Sequence, residues 1–332
     1  MFEVFLSSFK NFFSDIVFRI CLVLSLCSTS ISSPVILEDK LVEKVNTPEV
    51  YCSTSMVFAG DMMFDRYVRV MSQRYGKGFI LSRVRDCLAE FDYVAANLEG
   101  PISRYKSLSM GSKPGSPENF IFTFDPYTAE MLADFNIRIV NLGNNHILNF
   151  GKQGFLQTLE YLQKAGIEYF GYIGEVEFDK VLVLKKDCLK IGLVNYNQFS
   201  KGSFEKTLEN IKDYRGKVDF LIVYTHWGVE YAGKAPKSIV QKGRRFAKAG
   251  ADLVVGSHPH VVQNWEDYGR TRIYYSLGNF VFDQYFSDEV KRGMLVEVYL
   301  EKKESSNSIR VDYNEKFVDI QINSPIEIIN RE

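Results

Sequence analysis

Short, continuously apolar runs alternate along this chain with longer stretches of helical period. The runs at residues 55–61, 92–99, 137–142, 218–224 and 253–255 are brief, apolar and closed by polar or turn residues, which makes them strands buried on both faces. Helical spacing of apolar positions marks 79–90, 126–135, 151–165, 204–214 and 236–249, with a further helix through Tyr67 and Met71. In the 151–165 segment Phe155, Leu159 and Leu162 share one face. A strand at 168–172 comes after it, and 181–184 with 191–196 alternate around Lys185, Lys186 and Asp187 as a hairpin. Strands at 272–276, 294–300 and 309–322 finish the pattern, the last two antiparallel. Strands interleaved with helices predict an α/β chain.

The residues that close these strands are chemically uniform. Asp61, Glu99, Asn145, His226, His258 and His260 all stand at or just past predicted strand ends, where the loops of an α/β sheet gather ligand sites. The chain has four histidines, His146, His226, His258 and His260, and each comes after a strand beside Gly, Asn, Trp or Pro. One histidine alone is more often a packing residue than a ligand. Asp61 taken alone is equally a helix N-cap, and Glu99 before Gly100 and Pro101 a solvated turn residue. Together they form a donor set of carboxylate, amide oxygen and imidazole without thiolate, suited to Mn²⁺, Zn²⁺ or Fe²⁺ and large enough for one or two such ions. His146 is the odd member, a candidate acid. The loop 103–118, rich in Ser, Gly, Pro and Lys, is long enough for a lid or specificity element. Lys106 and Lys113 in it point to an anionic ligand, although surface solvation explains them equally well.

Composition narrows the function class. With 332 residues and 46% hydrophobic content the chain buries a large core, and 40 Lys+Arg against 41 Asp+Glu leaves no basic stripe for nucleic acid. Lys10 and Arg19 precede an apolar run at 20–27 that gives way to small polar residues, so 1–33 is expected to be a signal peptide or N-terminal anchor, 34–53 a linker, and 54–325 the globular domain. Export to the periplasm, the exterior or the envelope membrane is the corresponding expectation. Cys52, Cys87 and Cys188 are scattered thiols that form neither a disulfide framework nor a zinc motif, and packing is the expected role of each. No internal repeat or glycine-rich nucleotide loop is present.

Six motifs in one order carry a resemblance: Gly60-Asp61-Met62-Met63, Asn97-Leu98-Glu99, Asn144-Asn145-His146, His226-Trp227-Gly228-Val229-Glu230-Tyr231, Gly256-Ser257-His258-Pro259-His260 and Ser276-Leu277-Gly278-Asn279-Phe280. Over residues 54–284 the chain resembles the CapA family of poly-γ-glutamate capsule synthesis proteins, a branch of the calcineurin-like metallophosphatases. The resemblance implies a four-layer α/β/β/α sandwich. It places Asp61 and His260 on one metal, Asn145, His226 and His258 on another, Glu99 as the bridge and His146 as an outer-sphere general acid. Glu230, Tyr231 and Asn279 fall at signature positions that imply substrate contact or support of the ligands. The implied activity is hydrolytic, an activated water attacking a phosphoester or the γ-glutamyl amide of an anionic polymer or peptide, within membrane-associated polymer synthesis. The other class it leaves open is a non-catalytic, polymer-binding component of an envelope synthesis or export complex. Two departures stand out: Met63 replaces the histidine of the superfamily's Asp-x-His motif, leaving one site a ligand short, and Asn149 replaces a common acidic residue.

Overall fold

The structure, a computed structural model, describes residues 49, 51–171, 179–305 and 308–329. The segment read as a signal or anchor, most of the linker, and Tyr172 of the 168–172 strand lie outside them. Among the described residues no helix is long and apolar enough to cross a membrane.

Strands β1 (Tyr51–Met62), β2 (Tyr93–Leu98), β3 (Ile137–Asn141) and β4 (Glu168–Phe170) are followed by β5 (Leu182–Lys186), β6 (Leu189–Asn197), β7 (Phe220–His226) and β8 (Leu253–Ser257). Then come β9 (Trp265–Tyr268), β10 (Thr271–Tyr274), β11 (Asn279–Val281), β12 (Arg292–Lys303), β13 (Ile309–Asp319) and β14 (Glu327–Ile329). The helices are α1 (Arg66–Tyr75), α2 (Arg85–Ala89), α3 (Tyr127–Asp134), α4 (Gly151–Lys164), α5 (Ser203–Arg215) and α6 (Lys237–Ala249). One sheet runs β14-β13-β12-β1-β2-β3-β4, with β11 also paired to β1, and the other runs β5-β6-β7-β8-β10-β9.

Alternation along the strands builds the layers. In β1, Val57 and Ala59 join one apolar cluster with Met71, Leu132 and Phe155 of α1, α3 and α4, while Met56 and Phe58 enter a second cluster shared by both sheets. In β7, Phe220, Ile222 and Tyr224 face that shared core, and Leu221 and Val223 pack on Ile211 and Phe246 of α5 and α6. The result is helices, sheet, sheet, helices, the four layers expected.

Register then delivers the polar strand ends to one rim. Asn279, Asp61, Asn97 and Asn141 lie side by side across β11, β1, β2 and β3. Asn197, His226 and Ser257 do the same across β6, β7 and β8. Gly60 makes the first row possible, because a Cβ there would lie 1.9 Å from the Gly278 carbonyl oxygen, which accepts the Asp61 N–H at 3.0 Å.

Several expectations are corrected. The helix expected over 79–90 is a 3₁₀ turn at Phe79–Leu81 and the short α2, because adjacent Ile80 and Leu81 both bury and the Ile80 carbonyl is taken by the Ile326 N–H. β1 opens inside the stretch read as linker, and β14 lies past residue 325. Cys52 and Cys188 are not packing thiols but a disulfide across 136 residues, tying the start of β1 to the β5–β6 turn; Cys87 remains free. The 103–118 loop is irregular, as expected, and is pinned to the start of α1. Ser107 donates to both Asp65 oxygens at 2.7 and 2.9 Å, the Thr123 N–H reaches the same carboxylate, and Arg69 pairs with it at 2.8 Å.

Candidate metal centre

Asp61, Glu99, Asn145, His226, His258 and His260 meet at the rim where the carboxyl ends of both sheets come together. Asp61 is fully buried. Its Oδ1 accepts from Asn97 Nδ2 at 2.8 Å, its Oδ2 accepts the His258 N–H at 2.9 Å, and that oxygen lies 3.4 Å from His260 Nδ1. Glu99, also fully buried, points Oε1 at His260 Nε2 (3.6 Å) and His146 Nε2 (3.9 Å), with no hydrogen bond to either. His226 sets Nε2 2.7 Å from Asn145 Oδ1 and Nδ1 3.0 Å from Ser257 Oγ. The Ser257 hydroxyl donates to the Thr225 carbonyl at 2.8 Å, and Asn97 Nδ2 also lies 3.2 Å from His226 Nδ1, so the ring is fixed by two polar neighbours on that side and by Asn145 on the other. His260 is oriented likewise by Asn279 Oδ1, 3.0 Å from its Nδ1.

The turn carrying two of these imidazoles is strained. His258 and His260 have φ of 96° and 58°, and Tyr231 on the facing loop has 62°. Non-glycine residues in this region cost on the order of 1–3 kcal/mol each, and such strain persists where surrounding bonds over-determine it. Here the Tyr231 N–H is held by the Pro259 carbonyl at 2.8 Å, and Gly228 and Gln198 exchange two bonds. Phe199 caps the His226 and His258 rings at 5.8 and 4.6 Å between centroids.

Burial dominates the titration of the centre. It pushes His226 well below the ordinary histidine value, helped by His258, takes His258 down to about 3 with His260 adding to it, and takes His146 down to about 4 in the same way. Burial and then the Asp61 charge hold Glu99 well above the usual carboxylate range. Asp61 is the exception: burial acts to raise it, but the His260 and His226 imidazoles and the His258 N–H outweigh burial and hold it low.

This set fits a divalent cation. Glu99 Oε1 and His258 Nδ1 are buried without a hydrogen-bond partner, and among the described residues the ion pairs of Asp61 and Glu99 are with imidazoles alone. Ligand atoms of Asp61, Glu99 and His226 lie within 4.8 Å of one another, as do those of Glu230, His258 and His260. Met63 is buried with its sulfur taken by the Asp65 N–H at 3.0 Å.

The remaining residues named from sequence surround this cage. His146 packs on Phe122 at 4.5 Å, and Asn149 donates its N–H to the His146 carbonyl at 3.0 Å and its side-chain amide to the Phe120 carbonyl. Tyr231 stands 6.1 Å from the His260 ring. Sequence reasoning missed the amides beneath. Asn97 Oδ1 accepts from Asn141 and Asn144, and Asn141 Oδ1 accepts from Asn195. The available signal was an Asn ending or interrupting three apolar strands, at 97, 141 and 195, where a buried amide demands partners. Arg66 was missed too; its guanidinium lies between Phe122 and Phe282 and pairs with Asp283. It opens onto a groove of about 600 Å³ lined also by Tyr231, Gln284, Phe286, Asn119 and Phe120.

The family model for the bacterial capsule synthesis protein PGA_cap matches residues 55–284. The chain belongs to that family. It is 30% identical over 279 residues to the PGA biosynthesis protein CapA of Bacillus subtilis (strain 168), covering 78% of this chain and 72% of that one. It is 29% identical over 268 residues to the capsule biosynthesis protein CapA of Bacillus anthracis, covering 74% of this chain and 64% of that relative. Among solved structures, TT1561 of Thermus thermophilus aligns over 78% of this chain and 98% of its own, with 8% identity and a TM-score of 0.42. The PGA_cap match begins within β1 and ends at Gln284, spanning every rim residue described above.

Proposed function

We propose that this protein is an exported, divalent-cation-dependent hydrolase of the CapA type, acting on a phosphoester or γ-glutamyl amide during synthesis of an anionic capsule or envelope polymer. The observation that carries the reading is the rim itself: two buried carboxylates and three buried imidazoles converge with no lysine or arginine paired to either carboxylate among the described residues. Asp61, Glu99 and His260 would hold one ion, and Glu99, Asn145, His226 and His258 a second. Cations bound there supply Lewis acidity, polarising the substrate oxygen and acidifying water. Ser257 and Asn279 fix the His226 and His260 rings, and the amides of Asn97, Asn141 and Asn195 keep the carboxylates from turning. His146 lies beside the cage, walled by Phe122, with Nε2 toward Glu99, where its ring, neutral at ordinary pH, offers an N–H to the leaving atom as a hydrogen-bond donor. The groove past Arg66 and Tyr231 accommodates the flanking units of an extended chain.

Export rests on the disulfide, which persists in oxidising compartments, and on the N-terminal apolar run. The test of the catalytic role is His146→Ala. Bound metal stays at the wild-type level while hydrolysis of phosphoester or γ-glutamyl peptide falls about 10²–10⁴-fold. A wild-type protein that binds metal but turns over neither substrate class supports the polymer-binding role instead.

A further inference from the structure

A carboxylate on the facing loop stands beside the histidine turn. Glu230, at the exposed end of the His226-to-Tyr231 stretch, brings a carboxylate oxygen within 4.8 Å of ligand nitrogens of His258 and His260. The family resemblance implied substrate contact or support of the ligands for it. The backbone around it is fixed on the histidine turn by the Tyr231 N–H bond to the Pro259 carbonyl, which holds Tyr231 at positive φ. His258, 4% exposed, has Nδ1 without a partner in the same cluster.

A hydrogen-bond chain points the same way. His260 Nδ1–H donates to Asn279 Oδ1 (3.0 Å), Asn279 Nδ2 to Gln284 Oε1 (3.0 Å), and Gln284 Nε2 to the Tyr231 hydroxyl oxygen (3.1 Å). Every donor in the series is directed from His260 toward Tyr231, the residue next to Glu230. The chain thus leaves the His260 Nε2 lone pair free while it fixes the loop that carries Glu230.

We infer that Glu230 is a metal ligand that shares an ion with His258 and His260, adding a donor where Met63 supplies none, and that Tyr231, Gln284 and Asn279 are positioning residues for it. This rests on the metal-centre reading above. It adds a carboxylate to a pair of imidazoles, a donor set that accepts Mn²⁺ as well as Zn²⁺.

The experiment is calorimetric titration of metal-stripped full-length protein with Mn²⁺, with stoichiometry checked by elemental analysis. Glu230→Gln, isosteric and at an exposed position, is expected to lose one class of Mn²⁺ site or weaken it more than about 100-fold. Gln284→Ala, which cuts the relay without touching the ion, is expected to weaken the same class about 10–100-fold. Wild-type Mn²⁺ stoichiometry and affinity in Glu230→Gln would overturn the assignment while leaving the metal centre intact. A wild-type protein that takes up no Mn²⁺ overturns both. Unchanged binding in Gln284→Ala, with loss in Glu230→Gln, keeps the ligand and removes the relay.

Discussion

The two ends of the sandwich handle charge in opposite ways. At the amino-terminal ends of the parallel strands, three carboxylates meet cations and backbone N–H groups. Asp252 takes Arg215, Arg270 and the Leu221 N–H, Asp219 takes Lys302 and the Lys190 N–H, and Asp92 takes Lys186, the Thr54 hydroxyl and the Ser55 N–H. The disulfide sits at this end. At the other end Asp61 and Glu99 have imidazoles and amides for neighbours, Glu99 Oε1 has no partner, and the backbone is strained. The same chain that neutralises carboxylates with arginine and lysine at one end leaves two of them without either, among the described residues, at the other. The first end serves stability, and the second trades stability for binding.

Breaking the disulfide is the largest test of this division. Cys52→Ser with Cys188→Ser should cost about 2–5 kcal/mol in denaturant unfolding while leaving metal affinity unchanged. Linked loss of both would erase the distinction between the ends. Next, His258→Ala should lower metal affinity by at least about 100-fold, or about 2.7 kcal/mol, by elemental analysis after dialysis, with little change in the unfolding midpoint of the stripped protein. Asp252→Asn should destabilise by about 2 kcal/mol, since it removes the partner of two guanidiniums and an N–H. An unaltered midpoint there would mean those pairs are ornamental.

Acid should act on the metal-free rim. His146, His226 and His258 are held below their unfolded value, so the unfolded chain binds protons first. Stability should fall as pH drops below about 6.5, by about 1.4 kcal/mol per unit for each such group. The loss is complete below about 4 for His146 and about 3 for His258. Glu99, shifted upward, works in the opposite sense, but three imidazoles outnumber it. A metal-free melting temperature that is flat between about pH 7 and 5 would contradict this. The smallest effect has reversed sign: Glu99→Gln should stabilise the stripped protein by about 1 kcal/mol near neutral pH, because it removes a buried carboxylate that lacks a full set of partners, and should abolish metal binding.

Much of this was legible in the chain before any coordinates. Asp61, Glu99, His226 and the His258–His260 turn each come after a strand whose apolar run is too short for a helix, so their common rim is a consequence of the parallel-sheet rule. The four-layer order came with the family resemblance, and the alternation of Val57 and Phe58 between two cores accounts for it. The hidden part depends on long-range pairing. The Cys52–Cys188 bond joins strands of different sheets, and β9, β11 and β14 are three- or four-residue strands defined by their partners, not by their own pattern. The amides of Asn97, Asn141 and Asn195 find one another only through strand register, which links them in a row to Asp61.

Cys52 lies nine residues before Asp61 on one extended strand, roughly 30 Å away at about 3.3 Å per residue. The covalent tie between the sheets is therefore as far from the cage as β1 allows. With one end of the sandwich clamped, relative movement of the sheets is a pivot about that clamp, and a displacement too small to disturb the core near it is largest where Asp61 and Glu99 face His226 and His258.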